Sequence, residues 1–283
     1  MLKVRDMDTR FWGPSGWRLL HLIAANPLKN KSAVKEWFEL LEYVLPCKYC
    51  RASFHDYMEI QPLTDAVLSN TDSFGRWVYD IHNRVNAKLR GQGLLTSADP
   101  SWPSVKSHYK QLSASLCKGA PLLGWDFMIS VANTTPDATT KPSPMPDVPD
   151  YPIPETDIKT KNRYNLLTRD ERIRILKRWW SLTPSILPCE AWRTSWSAAA
   201  AAVAPPLQKG REAVLRWMWR VEERVCAGLQ CPTPHPSLVA LKKEVVAFES
   251  DCGKRKRGKT CRTKKQKRRR FLTRRGQTGA GIL

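Results

Sequence analysis

The two halves of this 283-residue chain repeat the same short sequence elements in the same order. A Leu-Pro-Cys triplet ends at Cys47 and again at Cys189, each time with a Trp ten residues before the Cys. The segment RWVYDIHNRVNAKL (76–89) aligns without gaps with RWMWRVEERVCAGL (216–229), and a Gly-Trp pair precedes both sets of elements. A shared order of this kind is typical of a duplicated unit. We therefore predict two related units, of which the second has diverged.

Apolar side chains predict that both units are helical. They recur every three or four positions, as on one face of a helix, in the stretches 17–24, 34–44, 77–89, 105–116, 168–180 and 212–229. No segment shows the alternation of a half-buried strand, so we predict an all-α fold. Asp72 or Ser73 is expected to cap the helix that carries Trp77.

Composition divides the chain into three parts. Residues 134–162 hold seven prolines, a composition that predicts an extended loop. From Cys252 onwards there are 14 Lys and Arg and no acidic residue, which leaves +7 of the total charge of +21 for residues 1–251. We predict a domain over 1–120, a second helical domain over 121–252 that contains the Pro-rich loop, and a disordered basic tail over 253–283.

Targeting signals are not evident in the sequence. No apolar stretch follows Met1 as in a secretory signal, and the small apolar run Ala198–Ala204 is too short to span a membrane. We therefore expect a cytosolic product that is neither secreted nor bound to a membrane. In such a chain, a CxxC pair is more often redox-active or metal-binding than structural.

The pair Cys47 and Cys50 has this spacing and is expected to open a helix. The positive end of the helix dipole would lower the pKa of a thiol there, and two thiols at this spacing can cycle between dithiol and disulfide. A zinc site with His55 as a third ligand and a merely structural pair are the alternatives, although no second CxxC or HxxxH pair lies nearby. We predict no metal site.

The second copy of the repeat lacks the polar residues of the first. Cys50 corresponds to Trp192, His82 and Asn83 to Glu222 and Glu223, and Asn86 to Cys226. His offers a planar surface for stacking and Asn offers donors and acceptors, which together suit a flavin or adenine ring. Because the apolar frame survives without these residues, we interpret them as a functional site of the first copy.

Together the residues resemble a known family. The order Trp17…His21, Pro-Cys-x-x-Cys and His-Asn-x-Val-Asn-x-Lys-Leu is similar to the Erv/ALR sulfhydryl oxidases, and the opening Trp12-Gly13-Pro14…Trp17 is most similar to members encoded by large DNA viruses. The resemblance covers about residues 10–117. It implies a bundle of four helices plus a short fifth helix around FAD, and the second copy resembles a degenerate domain of the same type. Tyr79 stands where many relatives carry a structural cysteine.

The resemblance also implies roles for individual residues. Cys50 matches the cysteine beside the flavin, and Cys47 matches the cysteine that meets the incoming thiol. The positions that match FAD contacts are Gly13, Trp17, His21, Tyr43, His82, Asn83, Val85, Asn86, Lys88 and Tyr109. The implied reaction takes two electrons from a dithiol substrate protein through Cys47 and Cys50 to FAD and then to O2, with H2O2 as the product.

Other functions and partners stay open at this point. The basic tail is also typical of a nuclear address or of nucleic-acid contact, which favours a virion or nuclear protein on an oxidase-like scaffold as the alternative function. A homodimer is a further expectation, and the host cytoplasm, the virion and the nucleus are the expected locations. Cys226 and Cys231, close together at the end of a predicted helix, are candidates for a structural disulfide, and Cys252 and Cys261 are candidates for a thiol relay.

Overall fold

A computed structural model of the chain describes residues 6–116, 121–137, 167–201 and 204–249. The first half contains the helices α1 (Thr9–Ala24), α2 (Lys31–Glu39), α3 (Leu41–Val44), α4 (Lys48–Ile60), α5 (Thr71–Gly91) and α6 (Trp102–Leu116). The second half contains α7 (Trp125–Asn133), α8 (Arg169–Ile186), α9 (Glu190–Ala201), α10 (Arg211–Gly228) and α11 (Leu238–Phe248). Single 3-10 turns precede α5 and α10, at Val67–Ser69 and Leu207–Lys209.

These helices confirm the predicted all-α fold, and within the described residues the only β pairing is an isolated bridge between Met7 and Glu249. The predicted tail, most of the Pro-rich loop, and Cys117, Cys252 and Cys261 lie outside the described residues. None of the described helices is long and apolar enough to cross a membrane.

Local signals explain most helix starts, with one correction. Asp8 caps α1 and Asn30 caps α2 through side-chain oxygens that accept backbone N–H groups, and Thr168 with Glu171 forms a capping box on α8. The predicted cap of α5 is wrong: Asn70, rather than Asp72 or Ser73, caps this helix. Its Oδ1 accepts the N–H groups of both of those residues, at 3.0 and 2.9 Å.

The two halves share one hydrophobic core that is rich in tryptophan. Trp37 of α2 stacks on Trp179 of α8 with ring centroids 4.8 Å apart, and both side chains are fully buried. Trp192 and Trp196 of α9 are buried beside them in the same core. Aromatic side chains of this size each bury a large apolar area, so these contacts join the halves tightly.

Two glycines allow α1 and α7 to approach closely. A Cβ atom at Gly16 would lie 3.3 Å from the ring of Phe127, and one at Gly124, where φ is +106°, would lie 2.8 Å from Leu19 Cδ2. Glycine is therefore required at Gly124 for both its backbone conformation and the packing.

A clasp, formed by Asp6–Asp8 and Phe248–Glu249, joins the two ends of the described chain beside the CxxC pair. The N–H of Met7 donates to Pro46 O at 2.7 Å, and the N–H of Asp8 donates to Phe248 O at 2.8 Å. The rings of Phe11 and Phe248 stack at 4.9 Å. Residues more than 200 positions apart thus meet at the residue before Cys47.

Candidate active site

The CxxC pair lies where α3 ends and α4 begins. Cys47 is the N-cap residue of α4, as the sequence predicted, and Cys50 lies in the first turn. Both are free thiols, and a hydrogen bond joins them. The side chain of Cys47 is only 1% exposed, whereas Cys50 is half-buried.

Burial outweighs the helix dipole at Cys47. Removal from water, together with the adjacent Cys50 thiol, raises the pKa of Cys47 well above its ordinary value. The predicted lowering of this pKa is therefore wrong for the reduced pair. The Cys47 thiol of the reduced pair is therefore protonated at neutral pH.

A buried ionic group supports the start of α4. Asp6 Oδ1 accepts the N–H of Lys48 at 3.0 Å and lies 3.5 Å from Arg51 Nη2. Arg51 also donates to Leu45 O at 2.6 Å, and both charged side chains are nearly inaccessible. The group fixes the backbone on both sides of Cys47. No sequence motif indicated that Asp6 or Arg51 belongs to the site.

Four of the predicted flavin residues form an aromatic cluster from three helices. Trp17 of α1 stacks on His82 of α5 with centroids 3.9 Å apart, and His21 of α1 stacks on Tyr109 of α6 at 4.7 Å. His21 Nε2 lies 3.1 Å from His82 Nδ1, so one ring donates and the other accepts. The structure thus brings together residues that are up to 92 positions apart in the sequence.

Burial keeps the two histidines neutral. Removal from water lowers the pKa of His82 to about 3, and removal from water together with His82 lowers the pKa of His21 well below its ordinary value. Desolvation also raises the pKa of Tyr109. The cluster therefore consists of uncharged planar rings, which are the kind of side chain that stacks on an aromatic cofactor.

Three polar residues of α5 lie next to this cluster in the sequence, and they differ in whether their side chains have hydrogen-bond partners. The buried Oδ1 of Asn83 has no hydrogen-bond partner, so it is an acceptor that a ligand can satisfy. Asn86 donates to Asp99 Oδ1 at 2.8 Å, and Lys88 Nζ donates to Ser53 Oγ on α4. Asp99 is a residue that the sequence did not indicate. Its pKa is lowered chiefly by the hydrogen bond from Arg90, so it stays a carboxylate that orients Asn86.

Three predicted positions lie apart from these contacts. Tyr43 lines a small cavity between α3 and α8, together with Arg172 and Leu176. A Cβ at Gly13 would meet open space, so packing does not require glycine there. Val85 is half-buried on α5. Assignment of these three to FAD stays a prediction.

The residues of the zinc alternative have other partners. His55 Nδ1 lies 3.0 Å from Glu42 and its Nε2 lies 3.1 Å from Glu59, so both ring nitrogens are engaged. Within the part of the chain that the structure describes, no group of His, Cys, Asp and Glu is arranged to hold a metal ion.

Comparison with known proteins identifies the family. The model of the Erv1 / Alr family matches residues 14–108, which include the CxxC pair and the aromatic cluster except Tyr109. A probable FAD-linked sulfhydryl oxidase of Acanthamoeba polyphaga mimivirus is 39% identical over 95 residues, covering 32% of this chain and 66% of that protein. An FAD-linked sulfhydryl oxidase of African swine fever virus is 34% identical over 105 residues, covering 35% and 81% of the two chains.

A mitochondrial FAD-linked sulfhydryl oxidase of Saccharomyces cerevisiae is 33% identical over 94 residues, covering 31% of this chain and 48% of that protein. None of the solved structures matches. The chain belongs to the Erv1 / Alr family, as the sequence motifs predicted.

Proposed function

We propose that this chain oxidises dithiols in substrate proteins through Cys47 and Cys50, with FAD held against the aromatic cluster of α1, α5 and α6. Two observations together carry the proposal: the thiols of Cys47 and Cys50 are hydrogen-bonded to each other, and the rings of Trp17 and His82 stack in the same half of the chain. We propose O2 as the final electron acceptor and H2O2 as the product.

The predicted enzyme class and cofactor are confirmed by the relatives. Viral, fungal and plant proteins that match the chain are named FAD-linked sulfhydryl oxidases. The chain is therefore a thiol oxidase that uses FAD. An enzyme of this class uses dithiol substrates and O2. Which residues of this chain carry out the reaction is part of our proposal.

The chemistry of the donor set supports FAD. Trp17, His21 and His82 are neutral planar rings of the kind that stack on flavin or adenine. The unpartnered Oδ1 of Asn83 can accept the kind of amino or imino hydrogen that these ring systems carry. We propose that Asn86 and Lys88 hold further polar groups of the cofactor. Bound FAD supplies a two-electron acceptor that O2 can reoxidise.

The cysteines carry out thiol–disulfide exchange. A substrate thiolate attacks Cys47 of the Cys47–Cys50 disulfide and releases the Cys50 thiolate, and a second substrate thiolate then frees Cys47. The substrate gains a disulfide, and Cys47 and Cys50 gain the two electrons and the two protons that the substrate dithiol loses. Because Cys47 is buried beneath the Asp6–Asp8 segment, this segment must move before a protein substrate can reach the sulfur.

Substitution of the cysteines tests the proposal. Cys50→Ser and Cys47→Ser are each expected to retain the visible flavin absorption of the purified chain but to lose oxygen consumption with dithiothreitol. Cys231→Ser, which removes a free thiol in the second half, is the matched control and should keep full turnover. Undiminished oxygen consumption by Cys50→Ser would refute the assignment.

We also propose that the second half is a degenerate copy of the oxidase domain, with a boundary near residue 120. Reciprocal contacts support this. Gly16 corresponds to Gly124 and Leu19 to Phe127 in the repeat, and Gly16 packs against Phe127 while Leu19 packs against Gly124. The same relation places Trp37 against Trp179. Reciprocal contacts of this type define a twofold interface between like units. A homodimer stays a prediction and would need another surface, since α7 and α8 already cover α1 and α2.

Nucleic-acid contact through the basic tail is the second candidate function, favoured by the 14 Lys and Arg beyond Asp251. It is compatible with oxidase activity. We propose the host cytoplasm, the virion or the nucleus as locations, in keeping with the viral relatives. Truncation after Asp251 should reduce salt-sensitive nucleic-acid binding without loss of flavin, whereas unchanged binding would exclude the tail.

A further inference from the structure

The end of α10 brings two cysteines of the second half together. The N–H of Cys231 donates to Cys226 O at 2.9 Å, and the N–H of Gln230 donates to Ala227 O at 3.1 Å. Gln230 has a φ of +53°. These are the two hydrogen bonds and the left-handed residue of a Schellman motif, in which the side chains at the positions of Cys226 and Cys231 meet.

The two thiols are in direct contact. A side-chain hydrogen bond joins them, and neither forms a disulfide in this structure. Cys226 is fully buried, whereas Cys231 is half-buried and can be reached from solvent. Apolar side chains usually make this contact in a Schellman motif. Two thiols at these positions can also form a disulfide bond, which apolar side chains cannot.

The surrounding loop already holds Cys231 in place. His235 follows it by four positions, and Nδ1 of this buried ring lies 2.8 Å from Glu222, one turn before Cys226. Trp219 Nε1 donates to His235 O at 3.1 Å. The loop is therefore held against α10 by the backbone hydrogen bond of Cys231 itself and by His235 after it.

We infer that Cys226 and Cys231 form a disulfide on oxidation, which links the loop after α10 to that helix. The oxidant in this inference is the Cys47–Cys50 site of a second molecule of the same chain. The inference about the oxidant rests on the proposed function. The modification site is the Cys226–Cys231 pair, and the protein substrate of the oxidase site is a second copy of this chain.

The step balances as a thiol–disulfide exchange. The Cys231 thiolate attacks the Cys47–Cys50 disulfide of the second molecule, which gives a mixed disulfide and one released thiolate. The Cys226 thiolate then attacks the Cys231 sulfur and expels the second sulfur of the oxidase pair. One disulfide forms and one is broken. Two electrons pass to Cys47 and Cys50, which also receive the two protons lost by Cys226 and Cys231.

A single tryptic peptide, Val225–Lys242, contains both cysteines and no other, so its mass gives the oxidation state directly. The full chain is reduced, freed of reductant, kept in air-saturated buffer, and alkylated before digestion. We expect the peptide to carry no alkyl group and to be two mass units lighter than its dithiol form. Cys231→Ser is the matched control and should carry one alkyl group at Cys226 under denaturing alkylation.

The oxidant is tested in the Cys50→Ser chain. In this variant the pair should stay reduced in air and become oxidised when a small amount of wild-type chain is added. Diamide is the enzyme-independent oxidant. Oxidation of Cys50→Ser by diamide but not by the wild-type chain would keep the disulfide site and overturn the self-oxidation. Failure of diamide to link the two residues would overturn the site, whatever the oxidase activity.

The link should also stabilise the second half. Closing a short loop of six residues restricts the unfolded chain, and we expect the apparent Tm to rise by about 3–6 °C on oxidation. Cys231→Ser should show no such rise on treatment with diamide. An equal rise in the variant would show that oxidation acts elsewhere.

Discussion

Glu222 of α10 and His235 form a fully buried pair, with both carboxylate oxygens 2.8 Å from the Nδ1 atom of the ring. In the repeat alignment Glu222 takes the position of His82, whose ring stacks on Trp17 in the first half. His235 Nε2 also lies 3.4 Å from Glu244. At the position where the first half has the neutral ring of His82, the second half thus has Glu222, which is already paired with His235.

The first prediction is therefore that each chain binds one FAD. The Glu222–His235 pair leaves the second half without the stacking surface of Trp17 and His82. Flavin released by denaturation should match protein concentration one to one, by absorption of each. A ratio near two would show that the second half also binds FAD.

The second prediction concerns flavin retention. His82→Ala removes the ring that stacks on Trp17, and Asn86→Ala removes the donor oriented by Asp99. Each loss should weaken FAD binding by about 1–2 kcal/mol, or roughly tenfold, as measured by fluorescence titration of the apoprotein. His55→Ala is the control, because this histidine pairs with Glu42 and Glu59 instead. Full affinity in both test variants would place the cofactor elsewhere.

The third prediction concerns access to Cys47. Asp6→Ala removes the acceptor of the Lys48 N–H and leaves Arg51 without this partner, so the Asp6–Asp8 segment should open more often. In a Cys50→Ser background, alkylation of Cys47 should accelerate about tenfold, which corresponds to roughly 1.4 kcal/mol of lost closure. The exposed Asp72→Ala is the control. An unchanged rate would mean that the thiol is reached by another route.

The fourth prediction is that the halves unfold together. Trp179→Ala leaves a cavity against Trp37 in the shared core, with an expected loss of about 3–5 kcal/mol in the free energy of unfolding. Urea denaturation, followed by Trp fluorescence and by flavin release, should give coincident transitions. Val239→Ala, at an exposed position, should change little. Separate transitions would contradict a common core.

The fifth prediction is a loss of stability in mild acid. The pKa of His82 is about 3 in the folded chain, below the value of about 6.5 in an unfolded one, so the unfolded chain binds more protons between these values. Stability is fully present above pH 6.5 and falls as the pH decreases. From pH 7 to pH 5 the apoprotein should lose about 1–2 kcal/mol from this histidine. His82→Asn should lose less over this range, and an identical loss would assign the effect to other groups.

Some of the fold and the site could be predicted from local patterns. The spacing of Trp77 and Ile81 predicted α5, and the CxxC spacing with the His-Asn motif predicted the family. These signals lie within one helix or one turn, where periodicity and side-chain chemistry act directly. The cap of α5 was misjudged because Asp, Ser and Asn share the ability to accept backbone N–H groups, and only the chain path selects Asn70.

The sequence by itself determined the helices and the family, because the signals for both lie among neighbours in the chain. Only the tertiary structure decided that Cys47 is buried. The Asp6–Asp8 segment bonds to the backbone of Pro46 and Lys48 on either side of Cys47, and Asp8 in turn bonds to Phe248 near the other end of the described chain. The same holds for the packing of Trp37 on Trp179 and for the insertion of His235 beside Glu222. Such contacts depend on how distant helices pack, and burial then sets the pKa values that local sequence cannot predict.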